Sequence, residues 1–361
     1  INNEMEKRGK PRFGIIVPWV YGEKQKRIML EEFGELNKKF PGEIWLCAEL
    51  GKVLNTIFYG NNTYEQALKL WVSNFEKLNA EASELLSSKI EVESMDGQKQ
   101  IISGSDIEFE LSRAGRIKYG IKTSYGVTFG NASEILKNTL NVSEKEIAVD
   151  RNLVKEAIKI AEEVESQYKF TCIAYPGTFS FLENRTPAGR EIPIPPTIYP
   201  PKPNSDPIQE GIFITITGIP GLERLYNEAK DLGLKLYSND TSAVPGSERL
   251  LPNVIPNPKI KLQFARSGWG SVWLSQLSGT PFVCPEFDPL DDPEIYFNNK
   301  CIEKLGLGII YRGQPLSDIL IEAEKLRPRI QKINQELLDK FGTYDGNEYG
   351  AKIIVDDFLS S

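Results

Sequence analysis

Short apolar runs bounded by glycine or proline recur along this chain, separated by longer stretches with apolar residues three and four apart. The first kind reads as buried strand and the second as amphipathic helix. Residues 12–18 hold the run Phe13-Gly14-Ile15-Ile16-Val17-Pro18, a strand. Helical spacing follows over 23–40 (Ile28, Leu30, Phe33, Leu36), then a second strand over 43–47. Such a βαβ opening predicts parallel strands with a right-handed crossover. Thr63-Tyr64-Glu65-Gln66 is a capping-box pattern and starts a long helix over 64–87. Residues 89–112 read as β-rich with a turn at Asp96-Gly97, and 119–129 as strand. Helices are predicted over 132–140 and 150–165, and a strand over 168–174.

Prolines then crowd one segment. Eight of the 23 fall within 187–207: Pro187, Pro193, Pro195, Pro196, Pro200, Pro201, Pro203 and Pro207. That density forbids helix and central strand and gives a stiff, polyproline-II-like connector. A ligand for a proline-recognising domain is the other reading of the segment. Beyond it the alternation resumes. Residues 211–217 read as strand, 222–232 as helix closed by Gly233, and 234–237 as strand. Later come a helix over 294–305, a strand over 308–311, and helices over 316–341 and 347–359. The chain thus predicts an α/β domain over 1–186, a linker over 187–207, a second α/β domain over 208–344, and a terminal helix within 345–361.

The most informative stretch lies in the second domain. Ile260-Lys261-Leu262-Gln263-Phe264 alternates like a strand, breaks at Arg266-Ser267-Gly268-Trp269-Gly270-Ser271, and resumes with helical spacing over 272–277. Pro281-Phe282-Val283-Cys284 is the next buried strand. Strand, glycine turn, helix and strand form the unit of a parallel sheet. Its turn gathers free backbone N–H groups at the positive end of a helix, which suits a phosphate. Gly268 and Gly270 would let backbone approach that phosphate closely, and Ser271 could cap the helix and donate to an oxygen. Arg266 supplies a counter-charge. The plainer reading of the glycines is a tight turn and nothing more.

This stretch resembles the donor-binding turn of nucleotide-sugar-dependent glycosyltransferases with the GT-B fold. Members read like H-G-G-W-G-S, or like S-R-S-G in the cell-wall N-acetylglucosaminyltransferase branch. Here Ala265-Arg266-Ser267-Gly268 runs into Trp269-Gly270-Ser271, and the likeness extends over about 211–350. The resemblance implies two Rossmann-like domains facing across a cleft, with the last helix returning to the first domain. It places a donor diphosphate against Arg266, Ser267, Gly268, Trp269, Gly270 and Ser271, with Gly218 at the neighbouring strand end. It sets Glu294 where an acid accepts bonds from the sugar hydroxyls, and Asn298 four residues on. The nearby Asp291 and Asp292 read equally as helix caps, and Asp288, Asp291 and Asp292 less readily as metal ligands. In two places the chain departs from the pattern: Leu274 stands where the family has a ribose-binding Glu, and Ile295 where it has an amide. In the first domain, Glu23 follows Gly22 where a His often stands, which makes it the candidate base. Its plainer reading is a solvent-facing glutamate at a helix start.

Composition narrows the chemistry. The chain has no histidine, which removes Ser-His-Asp and Cys-His systems and any His-ligated metal. A base must then be a carboxylate, or failing that Lys, Tyr or Cys. The net charge of -7 argues against nucleic acid as partner. No apolar run approaches the roughly 18 residues of a membrane span. Cys47, Cys172, Cys284 and Cys301 lie far apart and read as buried free thiols, as in a reducing, cytoplasmic compartment. The combined expectation is an inverting glycosyltransferase that needs no metal or cofactor. It would move a sugar, UDP-linked by preference, to a hydroxyl acceptor, lipid-linked or glycan, with at most peripheral membrane contact. A nucleotide-sugar epimerase of the same fold and a non-catalytic binding protein are the alternatives.

Overall fold

In the computed structural model, which describes the chain except for residues 19–37, 39–42, 53–62, 88, 95, 104–107, 113–123, 186, 188, 216–221 and 361, the polypeptide divides into two compact units. One comprises Ile1–Cys172, Pro187–Ile192 and Gly350–Ser361; the other comprises Ile173–Thr186 and Pro193–Tyr349. The sequence groups 173–186 with the first domain, whereas the structure puts this segment in the second unit. Hydrogen bonds give the reason. The buried Trp273 indole donates to the Pro176 carbonyl at 2.8 Å, and the buried Cys301 thiol to that of Gly177 at 3.2 Å. The helix expected over 23–40 lies outside the described residues apart from Lys38.

In the first unit, helix α1 (Asn2–Lys7) precedes strands β1 (Ile15–Pro18) and β2 (Ile44–Cys47). These two pair in parallel, with Ile15 opposite Ile44. Helix α2 (Tyr64–Ser87) starts at the capping box: the Gln66 N–H donates to Thr63 Oγ1 at 3.4 Å, and the Thr63 N–H to Gln66 Oε1 at 3.1 Å. Strands β3 (Lys89–Ser94) and β4 (Lys99–Ser103) join antiparallel and complete the order β1-β2-β3-β4. Their hairpin turns at Gly97, whose φ of 85° favours glycine. Alternate residues Ile90 and Val92 of β3 bury against Cys47, Leu50 and Ala82. A second sheet has the order β5 (Glu108–Ser112), β6 (Ser124–Thr128), β7 (Phe170–Ala174), β8 (Glu191–Ile194). Helices α3 (Ala132–Leu140) and α4 (Arg151–Glu165) lie between β6 and β7 in the chain and pack on each other. Strand β8 falls inside the proline-rich segment and contains Pro193. It is the last strand of its sheet, and an edge is where a strand tolerates proline.

The second unit is built on one sheet. Its strands are β9 (Gly211–Ile214), β10 (Lys235–Ser238), β11 (Glu248–Arg249), β12 (Ile260–Phe264), β13 (Phe282–Pro285) and β14 (Gly308–Tyr311). They take the order β11-β10-β9-β12-β13-β14, with every neighbouring pair parallel. Helices α5 (Glu223–Asp231), α6 (Trp269–Ser278), α7 (Pro293–Leu305) and α8 (Leu316–Phe341) belong to this unit. The central strands are covered on both faces, so they read as continuous apolar runs: Ile212, Phe213, Ile214, Leu262, Phe264, Phe282 and Val283 are fully buried. The chain winds outward from β9 to β11, then starts again beside β9 with β12 and winds the other way. The last helix, α9 (Gly346–Ser360), begins in the second unit, where a Cβ at Gly346 would lie 2.1 Å from the Pro195 carbonyl oxygen. From Gly350 it belongs to the first unit. There Asp357 accepts from the Tyr125 hydroxyl at 2.7 Å and pairs with Lys169 at 2.7 Å.

Candidate functional site

A doubly wound sheet places its ligand beyond the carboxyl ends of the strands, at the point where the winding reverses. Here that point lies between β9 and β12, whose ends are joined by the Thr215 N–H donating to the Phe264 carbonyl at 2.9 Å. Gly218, on the β9 side, lies outside the described residues, and so does Glu23 of the first unit. The β12 side is fully described. It holds Arg266, Ser267, Gly268, Trp269, Gly270 and Ser271 at one spot.

Helix α6 starts at Trp269, three residues before the apolar spacing suggests, with Gly268 as its cap residue. Ser271 is therefore inside the first turn and does not cap; its N–H turns back to the Gly268 carbonyl at 3.0 Å. A glycine cap has no side chain to satisfy the leading donors. The N–H groups of Trp269 and Gly270 accordingly have no acceptor among the described residues. They emerge at the positive end of the helix dipole.

The two glycines are informative because no contact among the described residues requires them. Gly268 has φ -67°, Gly270 is helical, and a Cβ on either would meet no atom of the described residues within 4 Å. Close approach of a ligand to backbone is one reason for glycine at such a turn. Ser267 adds a second sign. Its hydroxyl is buried and has no hydrogen-bond partner among the described residues, an arrangement that costs about 1–3 kcal/mol and that a bound ligand would relieve.

Behind the turn lies a closed polar network. Trp269 is 1% exposed and Asn298 0%, so neither presents its side chain to a ligand. The Trp269 indole donates to Asn298 Oδ1 at 2.8 Å and to Thr178 Oγ1 at 3.1 Å. Asn298 Nδ2 donates to the Ser267 carbonyl at 2.9 Å and to Glu294 Oε1 at 3.2 Å. Glu294 is itself buried, near the start of α7, where its N–H is capped by Asp292 at 3.1 Å. These three residues, which the resemblance assigns to donor contact, here hold the turn from the inside.

Arg266 stands at the surface in a bidentate pair with Asp291, Nε to Oδ2 at 3.0 Å and Nη2 to Oδ1 at 2.6 Å. Both side chains are more than a third exposed. Such a pair contributes about 0–1 kcal/mol, so exchanging the lone carboxylate for a diphosphate costs little. The neighbouring acids are otherwise occupied: Asp292 caps α7 and Asp288 closes a turn on the Leu290 N–H at 2.9 Å. No cluster of acids, cysteines or histidines suited to a metal occurs among the described residues. Leu274 packs against the cluster of Phe213, Tyr237, Val254, Ile255 and Ile260, and Ile295 is buried. Burial pushes the thiols of Cys172 and Cys301 up to about 12, which removes both as nucleophiles or bases at neutral pH.

Sheet order and turn together define a doubly wound α/β unit with a helix N-terminus at its switch point. Solved structures extend the likeness to the whole chain. A UDP-glucosyltransferase from Polygonum tinctorium capable of glucosylating indoxyl superposes with a TM-score of 0.59 over 99% of this chain and 95% of its own, at 14% identity. A calicheamicin glycosyltransferase gives 0.54 over 99% and 93%, also at 14%. A UDP-glucose:anthocyanidin 3-O-glucosyltransferase in complex with UDP gives 0.53 over 96% and 99%, at 11%. No protein-family model matches the sequence, and no curated protein does. The chain has the GT-B fold.

Proposed function

We propose that the protein is an inverting glycosyltransferase that binds a nucleoside diphosphate sugar, UDP-linked by preference, on its second unit. One observation carries the reading. At the switch point of a GT-B sheet, two N–H groups without an acceptor among the described residues lie beside two glycines that neither backbone conformation nor packing among those residues requires. A diphosphate in that place accepts from Trp269 and Gly270 and exchanges Arg266 away from Asp291. In the reaction an acceptor hydroxyl oxygen forms a bond to the anomeric carbon while the bond from that carbon to the phosphate oxygen breaks. The hydroxyl proton passes to the Glu23 carboxylate, and the departing diphosphate keeps the electron pair. Its growing charge is met by Arg266 and the helix end, with no metal or cofactor assigned a part. The buried free thiols favour a reducing, cytoplasmic setting. The structures similar in fold include proteins described as UDP-glucosyltransferases, which favours uridine among the nucleotides.

The test is a thermal-shift series with UDP, GDP and TDP. At about 100 times its dissociation constant, the true nucleotide adds roughly 2.7 kcal/mol of stability. No shift with any of the three sinks the reading. Leu274 favours one second reading, a donor-site protein without transfer. That reading predicts nucleotide binding with no sugar released or transferred.

A further inference from the structure

We infer that Thr178 is a positioning residue for the diphosphate-binding turn. The inference rests on the donor reading above. Thr178 is fully buried and lies 91 residues from Trp269 and 120 from Asn298 in the chain, yet it touches both. Its hydroxyl accepts from the Trp269 indole at 3.1 Å and donates to Asn298 Oδ1 at 2.9 Å.

Asn298 Oδ1 therefore receives two donors, from Thr178 and Trp269, and both hydrogens of Nδ2 are used, on Ser267 and Glu294. The Ser267 carbonyl belongs to the peptide that leads into Gly268, and Trp269 is the first residue of α6. Two of the anchor points of this network thus sit on the turn, one on each side of Gly268. Ser267 and Trp269 lie on the turn, and Asn298 and Glu294 on α7. Thr178 comes from a distant segment of the chain, held by the Pro176 and Gly177 carbonyls through Trp273 and Cys301.

Because the Trp269–Asn298 bond remains without it, loss of the Thr178 hydroxyl releases the turn and leaves the fold in place. The helix-end N–H groups then lose their fixed aim. Small misplacements at such a site are costly, since a shift of about 1 Å is worth up to 10²-fold.

The experiment compares Thr178→Val, Thr178→Ser and the unmodified chain by UDP titration calorimetry and by indole 15N spectra. The expected result is a dissociation constant about tenfold higher for Thr178→Val and within about twofold for Thr178→Ser, with a shifted Trp269 indole signal in the Val variant only. Equal UDP affinity in all three overturns the inference, even if Thr178→Val melts earlier, because burial alone explains a melting change. If the unmodified chain binds no nucleoside diphosphate, the donor reading fails. The backbone amide signals of Trp269 and Gly270 then decide the inference: movement on Thr178→Val supports it, and no movement overturns it.

Discussion

Gly270→Ala separates ligand approach from local structure, because the two predict opposite signs. Gly270 is the second residue of α6, and a Cβ there meets nothing within 4 Å among the described residues. The folded chain should accept alanine without strain. Alanine lowers the entropy of the unfolded chain and has the better helix propensity, worth about 0.5–1 kcal/mol. For a unit of this size that amounts to roughly 1–4 °C in melting temperature. A helical Cβ tilts toward the N-terminus, the end at which the Trp269 and Gly270 N–H groups emerge, so the same methyl crowds a ligand bound there. A diphosphate pushed outward loses a charge-assisted bond, worth about 1.5–3 kcal/mol. Affinity for UDP should then fall by roughly 10- to 100-fold. Melting with and without UDP reads both quantities on one sample. A variant that melts higher and binds UDP as the unmodified chain does would refute the argument that these glycines serve a ligand.

Four further outcomes follow from the proposed function. Arg266→Ala removes one charge-assisted contact and should weaken UDP binding by roughly 10- to 100-fold, with little change in melting because the Asp291 pair is exposed; calorimetry checks it. Glu23→Gln should abolish transfer while leaving UDP affinity nearly intact. With no histidine to titrate, the acid limb of kcat/KM should fall near the carboxylate range, about pH 4–5, and not near 6.5. Transfer should also survive an excess of EDTA, since the leaving charge is assigned to Arg266 and the helix end; a rate that collapses with EDTA and returns with a divalent cation would move that role to a metal.

How much of this was legible in the sequence depended on the range of the interaction. The sheet strands were readable because β9, β12 and β13 are buried on both faces and so leave short apolar runs between turn residues. The α6 turn was readable because a glycine cap and a glycine in the first turn are local features. Strand β11 left no trace, since both its residues, Glu248 and Arg249, are exposed. Strand β8 was hidden by Pro193, which argues for a connector unless the strand is known to lie at an edge. The burial of Trp269, Asn298 and Glu294 behind the turn was hidden for a different reason. Trp269 and Asn298 meet Thr178, far off in sequence, and Glu294 meets Asn298. The Arg266–Asp291 pair, 25 residues apart, was likewise invisible to pattern.

The division of labour in the site explains why position along the chain misled. A helix end can hold a diphosphate only if its N–H groups stay aimed outward and nothing fills the space before them. The outward face of the turn therefore favours the least bulk, glycine, glycine and a short serine. Its inward face favours the most polar satisfaction, an indole, an amide, a carboxylate and a threonine hydroxyl. A large aromatic such as Trp269 next to a glycine invites the reading that it stacks on the ligand. In this geometry its indole N–H is already shared between two buried acceptors, and turning it outward would break both bonds. On the proposed function, the residues to vary for donor specificity are then the exposed ones, Arg266 and Asp291, while changes at Trp269 or Asn298 should register first as loss of the turn itself.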